Sequence, residues 1–215
     1  MFDVPCFNKP IVQEYFRMKI CNISHEEESS DENTEIVKIL APLTDNPNSP
    51  HKDGRNPIYW AAFRGHTEIV KILAPLTDNP NAPNKFGDTP IHNAAKHGCT
   101  EIVKILALLT ENPNFPNKYG NTPILWAACN GDTEIVKILV PLTDKPNNPN
   151  RGGETPEYWA ARNGHTEIVK ILAPMTDNHS DRPVKSKSNL LRRQYCNATL
   201  IFRRAKAFSC FRNIN

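Results

Sequence analysis

A seven-residue block, Thr-Glu-Ile-Val-Lys-Ile-Leu, begins at Thr34, Thr67, Thr100, Thr133 and Thr166, always 33 residues from the last. Five identical copies at one spacing are no accident of composition, so the chain is read first as an internal repeat. Within the block the pattern of apolar positions is helical. In the third copy Ile102, Ile105, Leu106 and Leu109 fall at i, i+3, i+4 and i+7, which predicts one apolar stripe. Glu101 sits at the start of that helix, where the positive end of the helix dipole favours a carboxylate. Such a helix cannot bury its stripe alone; stacking several copies makes one continuous core.

A second periodic block precedes each of the last four heptapeptides. Turn-forming residues occur at Asp53-Gly54-Arg55-Asn56-Pro57, Phe86-Gly87-Asp88-Thr89-Pro90, Tyr119-Gly120-Asn121-Thr122-Pro123 and Gly152-Gly153-Glu154-Thr155-Pro156. Alanine pairs follow at Ala61-Ala62, Ala94-Ala95, Ala127-Ala128 and Ala160-Ala161, and glycines close the blocks at Gly65, Gly98, Gly131 and Gly164. Gly54 and its equivalents suit a tight turn with positive φ. Thr89 is placed to cap a helix whose first residue, Pro90, needs no N–H. The small alanines let neighbouring helices approach, and Gly98 suits the stop between two antiparallel helices.

This arrangement resembles the ankyrin repeat, and residues 84–116, with Thr89-Pro90-Ile91-His92-Asn93-Ala94-Ala95, come closest to its pattern. The resemblance covers four full repeats (51–83, 84–116, 117–149 and about 150–182) and a half repeat before them. It implies an all-α solenoid of stacked helix–turn–helix pairs with β-turn or hairpin tips. The domain reading is an N-terminal segment with a capping region (1–33), a repeat domain (34–182) and a C-terminal tail (183–215). Pro42, Pro75, Pro141 and Pro174 depart from the family pattern by standing just after the heptapeptide, separated from its end by one residue, with Leu108 as the exception. Proline there removes a hydrogen bond and clashes with the preceding turn, so those second helices should end early or kink. The Asn79-Pro80-Asn81 and Asn112-Pro113-Asn114 segments should form stiff, extended connectors.

The ends need separate treatment. Glu26, Glu27, Glu28, Asp31 and Glu32 could give the first half repeat a polar outer face, and Ile11, Val12, Tyr15 and Phe16 could form a capping helix before it. At the other end Ile168, Val169, Ile171 and Leu172 are as apolar as in the interior, and Glu157, in place of Ile58, Ile91 and Ile124, is the one hint of a cap. Three arrangements satisfy this: the tail folds back, the chain dimerises there, or the chain is part of a longer repeat protein.

Charge divides the molecule further. Nine of the 26 Lys and Arg residues lie from Arg182 onward, with no Asp or Glu, so residues 1–181 carry 17 basic against 23 acidic residues. A mildly acidic body thus carries a basic tail, in which cations alternate with Leu190, Leu191, Tyr195, Ile201, Phe202, Phe208 and Phe211. Such a tail could lie on an anionic membrane, grip nucleic acid phosphates or act as a nuclear import signal, or simply cap the stack. Six scattered cysteines without close pairing and no apolar run of membrane-spanning length point to a reduced intracellular protein, cytoplasmic or nuclear.

Comparing repeats separates scaffold from surface. The heptapeptide is invariant; variation collects at the turn tips and on the adjoining side of the first helix. The resemblance places partners on those tips and on the concave face, so the expected partner-binding residues are Lys52, Arg55, Trp60, Phe63, Arg64, Lys85, Phe86, Lys96, His97, Lys118, Tyr119, Trp126 and Arg162. Phe63, Phe86 and Tyr119 are read as exposed aromatics within a basic rim, which suits a protein with an acidic surface. Trp60, Trp126 and Trp159 share one repeat position with Asn93 and either pack between helix pairs or form an aromatic ladder. No HExxH helix, phosphate loop or Ser/His/Asp spacing is present, so the chain is read as neither an enzyme nor a holder of metal, cofactor or small-molecule substrate. His66 and His165 share a repeat position with Cys99 and Asp132 and are read as loop and packing residues. The leading function is a protein–protein adaptor; the alternatives are tail-driven membrane or nucleic-acid association, and a fragment of a longer ankyrin protein.

Overall fold

The computed structural model describes residues 30–44 and 46–175, and among these there are nine α-helices and no strand. Helix α1 (Ser30–Leu40) is a half unit. Four pairs follow: α2 (Pro57–Arg64) with α3 (Thr67–Leu73), α4 (Pro90–Lys96) with α5 (Thr100–Leu108), α6 (Pro123–Asn130) with α7 (Thr133–Leu139), and α8 (Pro156–Arg162) with α9 (Thr166–Leu172). First helices stack on first helices and second on second, and each helix packs against its own partner. The first-helix row is the more closely packed of the two, which makes it the inner side of the stack.

Local chemistry explains where each helix starts. Proline opens every first helix, and the residue before it caps: Asn56 Oδ1 accepts the Tyr59 N–H at 2.7 Å, and Thr122 and Thr155 Oγ1 accept the Leu125 and Tyr158 N–H groups at 3.2 and 3.0 Å. In α4 the Thr89 N–H donates to His92 Nδ1 at 3.1 Å, which leaves the ring proton on Nε2, 3.0 Å from the Asn121 carbonyl of the next repeat. The second helices end as the prolines require. α3, α7 and α9 stop after seven residues and pass into single 3₁₀ turns that contain Pro75, Pro141 and Pro174. Where Leu108 replaces the proline, α5 runs to nine residues.

The core is built from the repeat. Ile69, Val70 and Leu73, with Ile102, Val103 and Leu106, Ile135, Val136 and Leu139, and then Ile168 and Leu172, are essentially inaccessible, as are Ile58, Ile91, Ile124 and most of the paired alanines. The expected stripe on α5 needs correction. Val103 and Ala107 are buried beside Ile102 and Leu106, whereas Ile105 and Leu109 are only half-buried. A second helix packs against its own partner and against second helices on both sides, so its buried face is wider than one i, i+3, i+4 stripe and turned toward the inner row.

The connectors are also more than stiff. Each carries two asparagines after proline, three residues apart, except that His51 takes the second place in the first connector. The first asparagine reaches ten residues forward: Asn48, Asn81, Asn114 and Asn147 Oδ1 accept the N–H groups of Ile58, Ile91, Ile124 and Glu157 at 2.9–3.1 Å. The second folds the tip: Asn84 Oδ1 accepts from Phe86 and Asp88, Asn117 from Tyr119 and Asn121, and Asn150 from Gly152 and Glu154. Asn147 Nδ2 also donates to Glu157 Oε2 at 2.8 Å, so the polar residue in place of an isoleucine is tied to its own connector. The cap expected of residues 11–16, the acidic run Glu26–Glu28 and the tail lie outside the described residues.

Two stability measurements follow. Asn114→Ala strips the acceptor from the buried Ile124 N–H, so urea unfolding should show a loss of about 1–3 kcal/mol, the usual cost of an unsatisfied buried donor. Burial holds the His92 imidazole below its usual range, against weaker opposing pulls from the Asn121 carbonyl and the Asp88 charge. The folded state therefore keeps His92 neutral, while the unfolded chain takes up a proton near pH 6.5. The stability this contributes is complete above that pH and lost as the pH falls below it. The drop in urea midpoint between pH 7 and pH 5 should be smaller in His92→Leu, a change to the residue at the equivalent position in α6, than in the parent; an equal drop would remove His92 from the account.

Candidate partner-binding face

The turn tips are joined into a row. The N–H groups of Lys85, Lys118 and Arg151 donate to the carbonyls of Asp53, Phe86 and Tyr119 in the preceding tip at 3.0, 3.0 and 2.9 Å. Within each tip a glycine at positive φ makes the reversal, and a Cβ on Gly120 would lie 2.8 Å from the Arg151 nitrogen, so glycine is required by both turn and neighbour. This backbone row fixes the spacing of the side chains it carries. Lys52, Lys85, Lys118 and Arg151 occupy one equivalent position and all are exposed. Phe86 and Tyr119, the next residues along, are 37% and 57% exposed, as expected, and Lys85 Nζ lies 5.1 Å from the Phe86 ring centre.

On the inner face the α2 aromatics form a contact chain. Trp60 meets Phe63 edge to face at 5.9 Å, and Phe63 meets His97, at the end of α4, at 4.8 Å. The Arg55 guanidinium lies 5.2 Å from the Trp60 ring and Arg64 lies 5.5 Å from Phe63. Phe63 is thus half-buried and not the freely exposed aromatic expected, because His97 of the next repeat closes over its edge. Burial pulls His97 toward its neutral form, and the Lys96 and Arg64 charges act in the same direction. Further along, Lys96 Nζ lies 5.0 Å from Trp126 and Arg162 lies 5.1 Å from Trp159.

The three tryptophans are all half-buried, and Trp126 packs against the core. No ring contact joins Trp126 to Trp60 or Trp159 among the described residues. Asn93 separates the first two. It is 7% exposed, and its Nδ2 has no hydrogen-bond acceptor. A buried amide without a partner is costly, and this one lies in the row of first-helix positions otherwise occupied by indoles. Alignment of the repeats puts Asn93 at the tryptophan position but carries no sign that its donor is unmet.

Other variable positions prove structural. Asn130 Nδ2 donates to the Lys96 carbonyl at 2.8 Å and Asn163 Nδ2 to the Cys129 carbonyl at 2.7 Å, each satisfying the end of the preceding first helix. His165 Nε2 lies 3.2 Å from the Cys129 carbonyl. Cys99 and Cys129 are free thiols, and burial pushes the Cys99 thiol above its usual range, with the Asp132 charge adding to it. A polar hollow of about 340 Å³ lies between α1 and the start of α3, but Glu35 and Glu68 in its wall already hold Lys38 and Lys71. Among the described residues no three His, Cys, Asp or Glu side chains converge as a metal would require, and no helix is long and apolar enough to cross a membrane.

Replacing Asn93 by leucine should therefore raise stability by about 1 kcal/mol, because it removes the unmatched donor from a buried position. Urea denaturation measures this; a loss of stability would mean that the amide is satisfied in solution.

A family model described as Ankyrin repeats (3 copies) matches residues 28–116 and 107–182. No curated protein matches the chain.

Proposed function

The chain belongs to the ankyrin-repeat family, and from that premise we propose that it is a non-enzymatic scaffold holding another protein on its inner face and turn tips. Ankyrin repeats in general mediate protein–protein interaction. The observation that carries the reading is the cluster of Trp60, Phe63 and His97, bordered by Arg55, Arg64 and Lys96. Aromatic and arginine side chains supply most of the energy at protein interfaces, roughly 2 kcal/mol or more at each hot spot. Half-buried rings are already held in place, so a partner gains contact with little further loss of side-chain freedom. The basic surroundings favour a partner with an acidic surface by speeding encounter. The free thiols fit a reducing compartment, cytoplasm or nucleus.

Affinity capture from a cell lysate tests this with three baits: the full chain, residues 1–182, and the full chain carrying Phe63→Ala, Phe86→Ala and Tyr119→Ala, each checked for helix content by circular dichroism. The expected result is a protein retained by residues 1–182 and lost from the alanine bait. Capture that instead follows residues 183–215 and fades with salt would overturn the reading in favour of tail-driven association.

A further inference from the structure

Charge is segregated on this molecule in a way that net charge conceals. On the outer side the invariant helices pair their own ions: Glu35 with Lys38, Glu68 with Lys71, Glu101 with Lys104, and Lys137 with Glu167 of the next repeat. Along the tips the carboxylates are also taken. Asp53 holds Arg55 and His51, Asp88 accepts from Asn117 Nδ2 at 2.7 Å, and Glu154 accepts from Asn150 Nδ2 at 3.0 Å. The row Lys52, Lys85, Lys118 and Arg151 is left over: it is exposed, and among the described residues no carboxylate pairs with it. The residues 1–181 that contain it are acidic overall, so this edge is a local reversal of sign.

The row also has a fixed period. The tips are tied to each other through backbone hydrogen bonds, and each tip leads into a first helix packed on its neighbours. Packed helices lie roughly 8–10 Å apart, so the cations recur at about that interval. A polyproline II segment has three residues per turn and rises about 3.1 Å per residue, so every third side chain returns to one face about 9 Å further on. Resting on the scaffold reading above, we propose that the tip row binds an extended, proline-containing acidic segment of the partner, with a carboxylate at every third residue facing Lys52, Lys85, Lys118 and Arg151 in turn. Phe86 and Tyr119, beside the second and third cations, give the intervening prolines an aromatic surface.

The test uses the full chain and two twelve-residue peptides of one composition, read by fluorescence anisotropy at low salt. One is four repeats of Glu-Pro-Pro; the other places the four glutamates consecutively among the same eight prolines. The spaced peptide should bind about fivefold or more tightly than the clustered one. Each single change Lys52→Gln, Lys85→Gln or Lys118→Gln should weaken it by about twofold to fivefold, the range for exposed charge pairs. The basic tail is common to all these proteins, so only the difference between parent and variants reads the tip row. The variants change exposed side chains, and circular dichroism confirms that they stay folded. Equal binding of the two peptides, or equal binding by parent and variants, overturns the proposal. So does a single-stranded DNA oligonucleotide that binds more tightly than the spaced peptide and weakens with the same substitutions. Failure here leaves the scaffold reading to its own experiment, because the alanine bait there retains all four cations.

Discussion

A second helix of seven residues is far below the length at which an isolated helix holds together in water. The invariant Thr-Glu-Ile-Val-Lys-Ile-Leu block is therefore helical only because Ile, Val and Leu are buried against a partner helix and the same block of the adjacent repeats. Everything else in the structure depends on that mutual burial. It requires successive units to be nearly identical in backbone and register. Identical registers in turn bring the same loop residues side by side, which is how an Asp53 carbonyl comes to meet a Lys85 N–H and a Phe86 carbonyl a Lys118 N–H. The stack makes the tips a row, and the row makes a surface.

The fold was legible because its signals are periodic. Five equal heptapeptides, the prolines that follow four of them, and the glycines that close the first helices each state a local requirement, and the longer α5 at Leu108 shows that the prolines set where the other second helices end. What escaped was pairing across distance. Nothing about Asn-Pro-Asn in isolation says that the asparagine after the proline will satisfy an N–H ten residues away, since that needs the turn tip to fold back over it. Asn130 and Asn163 stand at positions that vary between repeats, yet they complete helix ends of the neighbouring unit. Phe63 looked exposed because its contact, His97, belongs to the next repeat. In a solenoid, variation between repeats marks surface only after these inter-repeat bonds have been set aside.

Once they are set aside, the side chains that remain include the tip cations, Phe86 and Tyr119, the α2 aromatics with their guanidinium neighbours, and the Asn93 amide. The burial of these groups differs in a way that matters. The tip side chains are exposed and long, so ordering them against a ligand costs conformational freedom and each contact adds little. The inner-face rings are half-buried and already packed, so they lose less. On the proposed scaffold reading, affinity should therefore reside mainly on the inner face, while the tips supply encounter and register.

Asn93 sharpens this division. In three of the four pairs the equivalent position is a half-buried tryptophan; in α4 a buried amide stands there with its nitrogen unmatched. A scaffold whose five heptapeptides already hold a continuous core can carry one such local cost, and a marginal single-core domain could less readily do so. The amide interrupts the row of indoles and places an unmet donor between Trp60 and Trp126.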